Sequence, residues 1–525
     1  MRTLFVSALL VCLSLPAPVA AQQPVLGHID FPTSGSAAAQ SHFIQGVLLL
    51  HSFEYDDSRE EFQAASRIDP GFAMAYWGEA LTYTHPVWVQ QDVASARAAL
   101  ARLAATPEGR IAKAPTEREK DYLRAVEILY GEGTKVARDV AYAEAMGRMH
   151  AKYPDDLEAA SLYAVALLGT CQYERDYAVY MRAAAVVEEV FAKNPQHPGA
   201  VHYLIHAYDD PVHAPLGLRP ARVYAKIAGS ASHARHMPSH IFIALGMWDD
   251  VISSNIASVE VADARIKRKG LSPSERNYHS LSWLEYGYLQ EGRTQDAHRL
   301  LEDVARSAAA SGSPGALGAL AYMRAHYALS TGEWDHLSGA FDPAKAGLSS
   351  SVAIMMAQGA IAVQQGRIED GRKLLDQIHA RLNAGASPGG EAMHHPGMTV
   401  PGSPNDRKQA EIMREQLEAI ILEKEGKRDD AIQLLTTAAS AEDAMSFEFG
   451  PPVPVKPTHE LLGEILLSAG RPQEARKEFE HALTRCPKRT LALRGLAKAA
   501  AASGDQEAAQ RTLADIKSFW RGSAL

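Results

Sequence analysis

Two pairs of histidines set the period of this chain. His202 and His206 are four residues apart, as are His236 and His240, and the second pair follows the first by 34 residues. Four residues is about one helical turn, so each pair presents both rings on one helix face. An offset of 34 residues is the length of a recurring helix–turn–helix unit. Such a unit cannot bury its apolar face alone, so the chain must stack many of them into an array.

The unit recurs along the chain. Numbered from 1, the copy starting at Lys456 has Leu462, Gly463, Leu466, Ala475, Phe479, Ala482 and Pro487 at positions 7, 8, 11, 20, 24, 27 and 32, with Gly470 at the turn. The copy from Ala39 has Gly46, Leu49, Phe62, Ala65 and Pro70 at positions 8, 11, 24, 27 and 32. Weaker copies start at Ala73, Leu123, Leu157, Pro198, Ser232, Tyr278, Gly318, Val352, Ile412 and Thr490. Small residues at 8, 20 and 27 let two helices approach closely. Large apolar residues at 4, 7, 11 and 24 fill the space left, and Pro at 32 ends the second helix. Together these residues resemble the tetratricopeptide (TPR) repeat over nearly all of the chain. The resemblance implies an all-α fold, a TPR-type helical-hairpin solenoid wound as a right-handed superhelix of about twelve partly degenerate repeats. It also implies an interaction scaffold that takes a peptide or protein partner in its concave groove. The segments 202–211, 236–242 and 450–460 are similar to those of a group of exported bacterial TPR proteins, a likeness that supplies no reaction.

The ends and interruptions divide the chain. Arg2, the apolar run Leu4–Leu15 and the small residues Val19-Ala20-Ala21 read as a secretory signal over residues 1–21, too short to span a bilayer. No later stretch is apolar enough to cross a membrane, so the expected location is periplasmic or secreted. An extended segment covers 22–38. A solenoid follows over 39–383, with its histidine-rich centre at 198–283, then a Gly/Pro-rich loop at 384–408 containing His394 and His395, then C-terminal repeats over 409–525. Ala105 to Thr116 reads as a polar connection. With a net charge of -9 and no Lys/Arg block, nothing points to nucleic acid. Cys171 and Cys486, many repeats apart, are expected to be free thiols.

In the TPR proteins that this chain resembles, positions 2, 5, 9, 12 and 13 of the first helix line the groove. His202 and His206 take 5 and 9, Asp209 and Asp210 take 12 and 13, and His233, His236 and His240 take 2, 5 and 9 of the next unit. His279 falls at 2, His326 at 9, and His51 and His85 at 13. Glu460 and Glu464 take 5 and 9 near the C-terminal end, after the extended Pro-rich run 450–457. His51, His85, His279, His326, Glu460 and Glu464 are therefore candidates for contact with a partner. His202, His206, Asp209, Asp210, His233, His236 and His240 are candidate metal ligands. Imidazoles from adjacent first helices suit zinc or copper, with the two aspartates as ligands or as acceptors that orient the rings. The same polar groups can also simply hydrogen-bond one another or hold an acidic or aromatic peptide. Ser239, His236 and Asp209 permit a hydrolytic triad on paper. There is no His-Glu-x2-His for a zincin-type protease and no Cys-x2-Cys-His for covalent haem. Pro238 should interrupt its helix.

Overall fold

The repeating units fold as pairs of helices, seen in a computed structural model that describes residues 24–172, 174–334, 342, 345–384 and 404–523. Ala37–His51 pairs with Tyr55–Ile68, Leu157–Gly169 with Tyr177–Lys193, Pro198–Ala207 with Ala214–Ile227, and Thr458–Ser468 with Pro472–Arg485. The fold is the expected all-α TPR array. The signal segment and most of the 384–408 loop, with His394 and His395, lie outside the described residues.

Within a pair the two helices differ because their surroundings differ. Every residue of Ala73–Leu81 and of Pro198–Ala207 is buried, since these first helices are covered on all sides. Their partners are amphipathic: Tyr55–Ile68 buries only Tyr55, Ser58, Phe62, Ala65 and Ser66. The packing rule is written in the same way at both ends of the chain. Phe62 fits between Gly46 of its own unit and Gly78 of the next; Phe479 fits between Gly463 and Gly495. The turns within hairpins carry glycine in the left-handed region, for example Gly470 at φ 73° and Gly504 at φ 88°, where a side chain would be strained.

Two local expectations are corrected. The connection 105–116 contains a helix, Pro107–Lys113. Thr106 caps it by accepting from the Gly109 amide at 3.1 Å, and proline fits the first turn. The Gly/Pro-rich loop ends earlier than 408, because Pro404 opens the helix Pro404–Lys424. Thr84–His85 and Gln90–Gln91 pair as a two-residue antiparallel ladder. Pro238 does break its helix: Ser232–His236 ends before it and Pro238–Ala244 begins with it.

The array is not an open, elongated spiral in which each unit meets only its neighbours. Arg265 and Lys269 bind Asp57 at 2.5 and 2.8 Å, joining the unit that starts at Ser232 back to the first. The last unit returns to the middle. Thr490 donates its hydroxyl to the Gln290 carbonyl at 2.6 Å, Arg521 donates its amide to the Glu291 carbonyl at 2.7 Å, and Trp520 packs on Gly292. The segment before the Pro-rich run crosses the centre, where Ser446 accepts the Arg175 amide at 2.7 Å. Part of the inner face is thus covered by the chain itself.

Candidate metal centre

The six histidines at the centre come from four helices. Pro198–Ala207 carries His202 and His206; Ser232–His236 carries His233 and His236; Pro238–Ala244 carries His240; Tyr278–Gln290 carries His279. Across the break at Pro238, His236 and His240 meet edge to face with ring centres 4.9 Å apart. Five of the six are buried, and His233 is half-buried.

They group as two triads. In one, the Nε2 atoms of His236 and His240 are 3.0 Å apart and those of His279 and His236 are 2.8 Å apart. The outer nitrogens fix the tautomers. Asn255 donates its amide N–H to the Val251 carbonyl at 2.8 Å, so its oxygen is the atom facing His236 Nδ1 at 2.7 Å, and that nitrogen must carry the proton. His240 Nδ1 donates to the Asp209 carboxylate at 2.5 Å. The Nε2 atoms of His236 and His240 therefore face each other as lone pairs. In a tetrahedral site with bonds of about 2.0–2.1 Å, ligand nitrogens stand about 3.3 Å apart. The other triad is His202, His206 and His233, whose ligating atoms lie within 4.8 Å of one another.

Burial keeps the second triad uncharged. It pushes the His202 imidazole down to about 3, and holds His206 and His233 well below the usual histidine range, helped by the neighbouring imidazoles. Neutral imidazole is the form that binds metal.

Aromatic rings wall the cluster. Trp283 packs on His236, His240 and His279 at 4.8, 4.5 and 5.1 Å. Phe449, delivered by the crossing segment, packs on His240 at 4.8 Å. The remaining side opens on a cavity of about 370 Å³ lined by His233, His236 and His279 together with Phe53, Tyr55 and Trp88.

The other candidates fall elsewhere. Asp209 orients a ring, but Asp210 is no ligand. One of its oxygens caps the Val212 and His213 amides at 3.0 Å each, and its carboxylate is shared with the His213 ring and Arg175. The hydrolytic triad is not assembled: Ser239 donates to the His236 carbonyl at 2.7 Å, and Asp209 holds His240 rather than His236. His51, expected at a partner groove, is enclosed instead. It meets the Glu158 carboxylate at 2.6 Å and the Tyr203 hydroxyl at 2.9 Å, and Glu158 also takes His197 at 3.1 Å. His326 is enclosed against Tyr286, and Glu460 is locked between Arg489 at 2.7 Å and Lys456 at 3.3 Å. Glu464 accepts from Lys456 at 2.8 Å with its side chain partly open to solvent. His85 lines the cavity, stacked 3.9 Å from Tyr55. His279 belongs with the metal candidates. Asn255 and Trp283 complete the surroundings of the cluster, and Glu158 those of His51; sequence reasoning passed over all three. Asn255, a polar residue on the second helix of its pair, looks like solvated surface in the sequence.

Two further groups are satisfied without metal. Both ring nitrogens of His51 and of His197 are engaged, His197 Nδ1 accepting from the Ala200 amide. At the surface, burial would lower His459, but the Glu478 and Asp443 carboxylates outweigh it and raise its pKa, making an ordinary ion pair.

A family model described as tetratricopeptide repeat matches residues 466–518. No protein of curated function matches the sequence. Among solved structures, the chain is similar to the TPR domain of P58(IPK), at 13% identity over 90% of this chain and 99% of that one, with a TM-score of 0.23. It is similar to yeast Tom70, at 11% identity over 92% of each chain and a TM-score of 0.28. It is also similar to human IFIT1 in a dimer with PPP-AAAA, at 11% identity over 92% of this chain and 91% of that one, with a TM-score of 0.34. Identities this low concern the fold alone.

Proposed function

We propose that this TPR protein binds a transition metal, zinc or copper, on His236, His240 and His279, and uses it on a small molecule held in the adjoining cavity. One observation carries the reading. Two buried Nε2 lone pairs face each other at 3.0 Å while Asn255 and Asp209 occupy the outer nitrogens. A cation placed there would be held by both rings, and carboxylate behind histidine is the arrangement that orients metal ligands. Three protein ligands with an open side is the pattern of a working site rather than a closed structural one. The metal would polarise an oxygen or nitrogen of the molecule it meets there. TPR arrays typically bind proteins or peptides, and a partner in the concave groove is the other reading of the repeats. It has less support, because most of the groove positions lie inside the molecule.

The test uses full-length protein purified without a histidine tag, stripped with chelator and reloaded with zinc or copper. Bound metal is expected by elemental analysis, and acid should release it, because protonated imidazole cannot ligate. His279→Gln should weaken it sharply with helix content unchanged. Protein that carries no metal after loading would overturn the reading. We place the protein outside the cytoplasm on the run Leu4–Leu15; native protein whose intact mass retains Met1 would exclude that.

A further inference from the structure

We infer that the cluster holds two metal ions, the second on His202, His206 and His233. This deepens the reading above and rests on it only in that both ions would serve one cavity. The geometry of the second triad stands by itself. His202 Nδ1 donates to the His51 carbonyl at 2.6 Å, so its Nε2 carries a lone pair, and that nitrogen faces His233 Nε2 at 3.1 Å. His206 Nε2 is buried and has no hydrogen-bond partner among the described residues. A proton shared between His202 and His233 would satisfy that pair and still leave His206 without a partner. One cation satisfies all three.

The surroundings are those of a built site. Phe53 closes one side: its ring lies 4.3 Å from His202, 5.8 Å from His206 and 5.5 Å from His233. The His233 backbone is pinned by its amide, which donates to Glu54 at 3.0 Å. On the opposite side the first triad begins, with His206 5.9 Å from His240 and His233 6.2 Å from His236, centre to centre. The two aspartates nearest the triads point elsewhere: Asp209 is behind His240, and Asp210 is engaged with His213 and Arg175. His233 of one triad and His236 and His279 of the other line the same cavity. The ligand class that follows is an oxygen donor able to touch two cations at once: water, hydroxide, or a carboxylate or phosphate group of the bound molecule.

The experiment counts zinc. Full-length, untagged, chelator-stripped protein is loaded with zinc chloride, passed through a desalting column and analysed for metal per chain. Wild type is expected to hold two equivalents. His206→Gln and His233→Gln should each hold one, and so should His279→Gln. One equivalent in wild type, lost in His279→Gln and kept in His206→Gln, would overturn the second ion and leave the first intact. No bound zinc in wild type would remove both. Circular dichroism melting checks that each variant folds. Should His206→Gln unfold, X-ray absorption on wild type with one and then two equivalents decides the matter. A metal–metal shell that appears with the second equivalent supports the pair, and its absence overturns it.

Discussion

His326 separates the effect of burial from that of metal. Its ring sits 5.2 Å from Tyr286, and burial, with the Arg489 charge nearby, pushes its pKa down to about 3. The folded chain therefore keeps it neutral while the unfolded chain protonates it near 6.5. Between about 6.5 and 3 the unfolded state binds more protons, so stability is full above pH 6.5 and is lost as pH falls through that window. His326→Phe should flatten this slope: urea unfolding at pH 7.5 and pH 5 should differ less in the variant than in wild type, by on the order of 1–3 kcal/mol. An equal pH difference in both proteins would refute it. At this scale the sequence was informative where the period applies. The 34-residue offset places His202, His206, His236 and His240 on facing helices, and their rings do meet. It was silent where function depends on which way a neighbour points. His279 was visible at position 2, yet only the crossing of three helices turns its Nε2 toward His236. Asp209 and Asp210 look equivalent in a list, and one backbone turn sends them to different partners.

At the scale of the element, the recurring aromatic at position 24 is a wedge between two glycines. A Cβ placed on Gly463 would stand 3.0 Å from the Phe479 ring, and one placed on Gly495 would stand 2.2 Å from it. The tighter of the two sites lies between repeats. Gly495→Ala should therefore cost about 1–3 kcal/mol and exceed the cost of Gly463→Ala; denaturation midpoints of the two variants check the order, and a reversed order would contradict it. Phe479→Ala should cost about 3–5 kcal/mol. These helices were legible because their packing residues repeat. The helix Pro107–Lys113 was not: it is shorter than one unit, it has no periodic partner, and its start, Thr106-Pro107-Glu108, was hidden in a run of polar residues.

At the scale of the molecule, closure sets the architecture. It was not legible, because it depends on a curvature summed over many repeats and made good by contacts such as Arg489 to the Tyr286 hydroxyl at 3.0 Å, 203 residues apart. Trp520, under Arg494 at 4.4 Å and against Gly292, is another of these contacts. Trp520→Ala should cost about 1–3 kcal/mol, and hydrogen exchange should rise around Tyr286 to Gly292 as well as at the C-terminus. Exchange that rises only after Thr490 would mean that the end of the chain does not hold the middle. The same contact bears on how such a chain can change over generations. An open solenoid gains or loses a hairpin at its tip with little harm, which is how arrays of this kind drift in length. Here loss of the last hairpin would strip Thr490 from Gln290 and Trp520 from Gly292. The fit of Trp520 against Gly292 thus ties the last described hairpin to the middle of the chain.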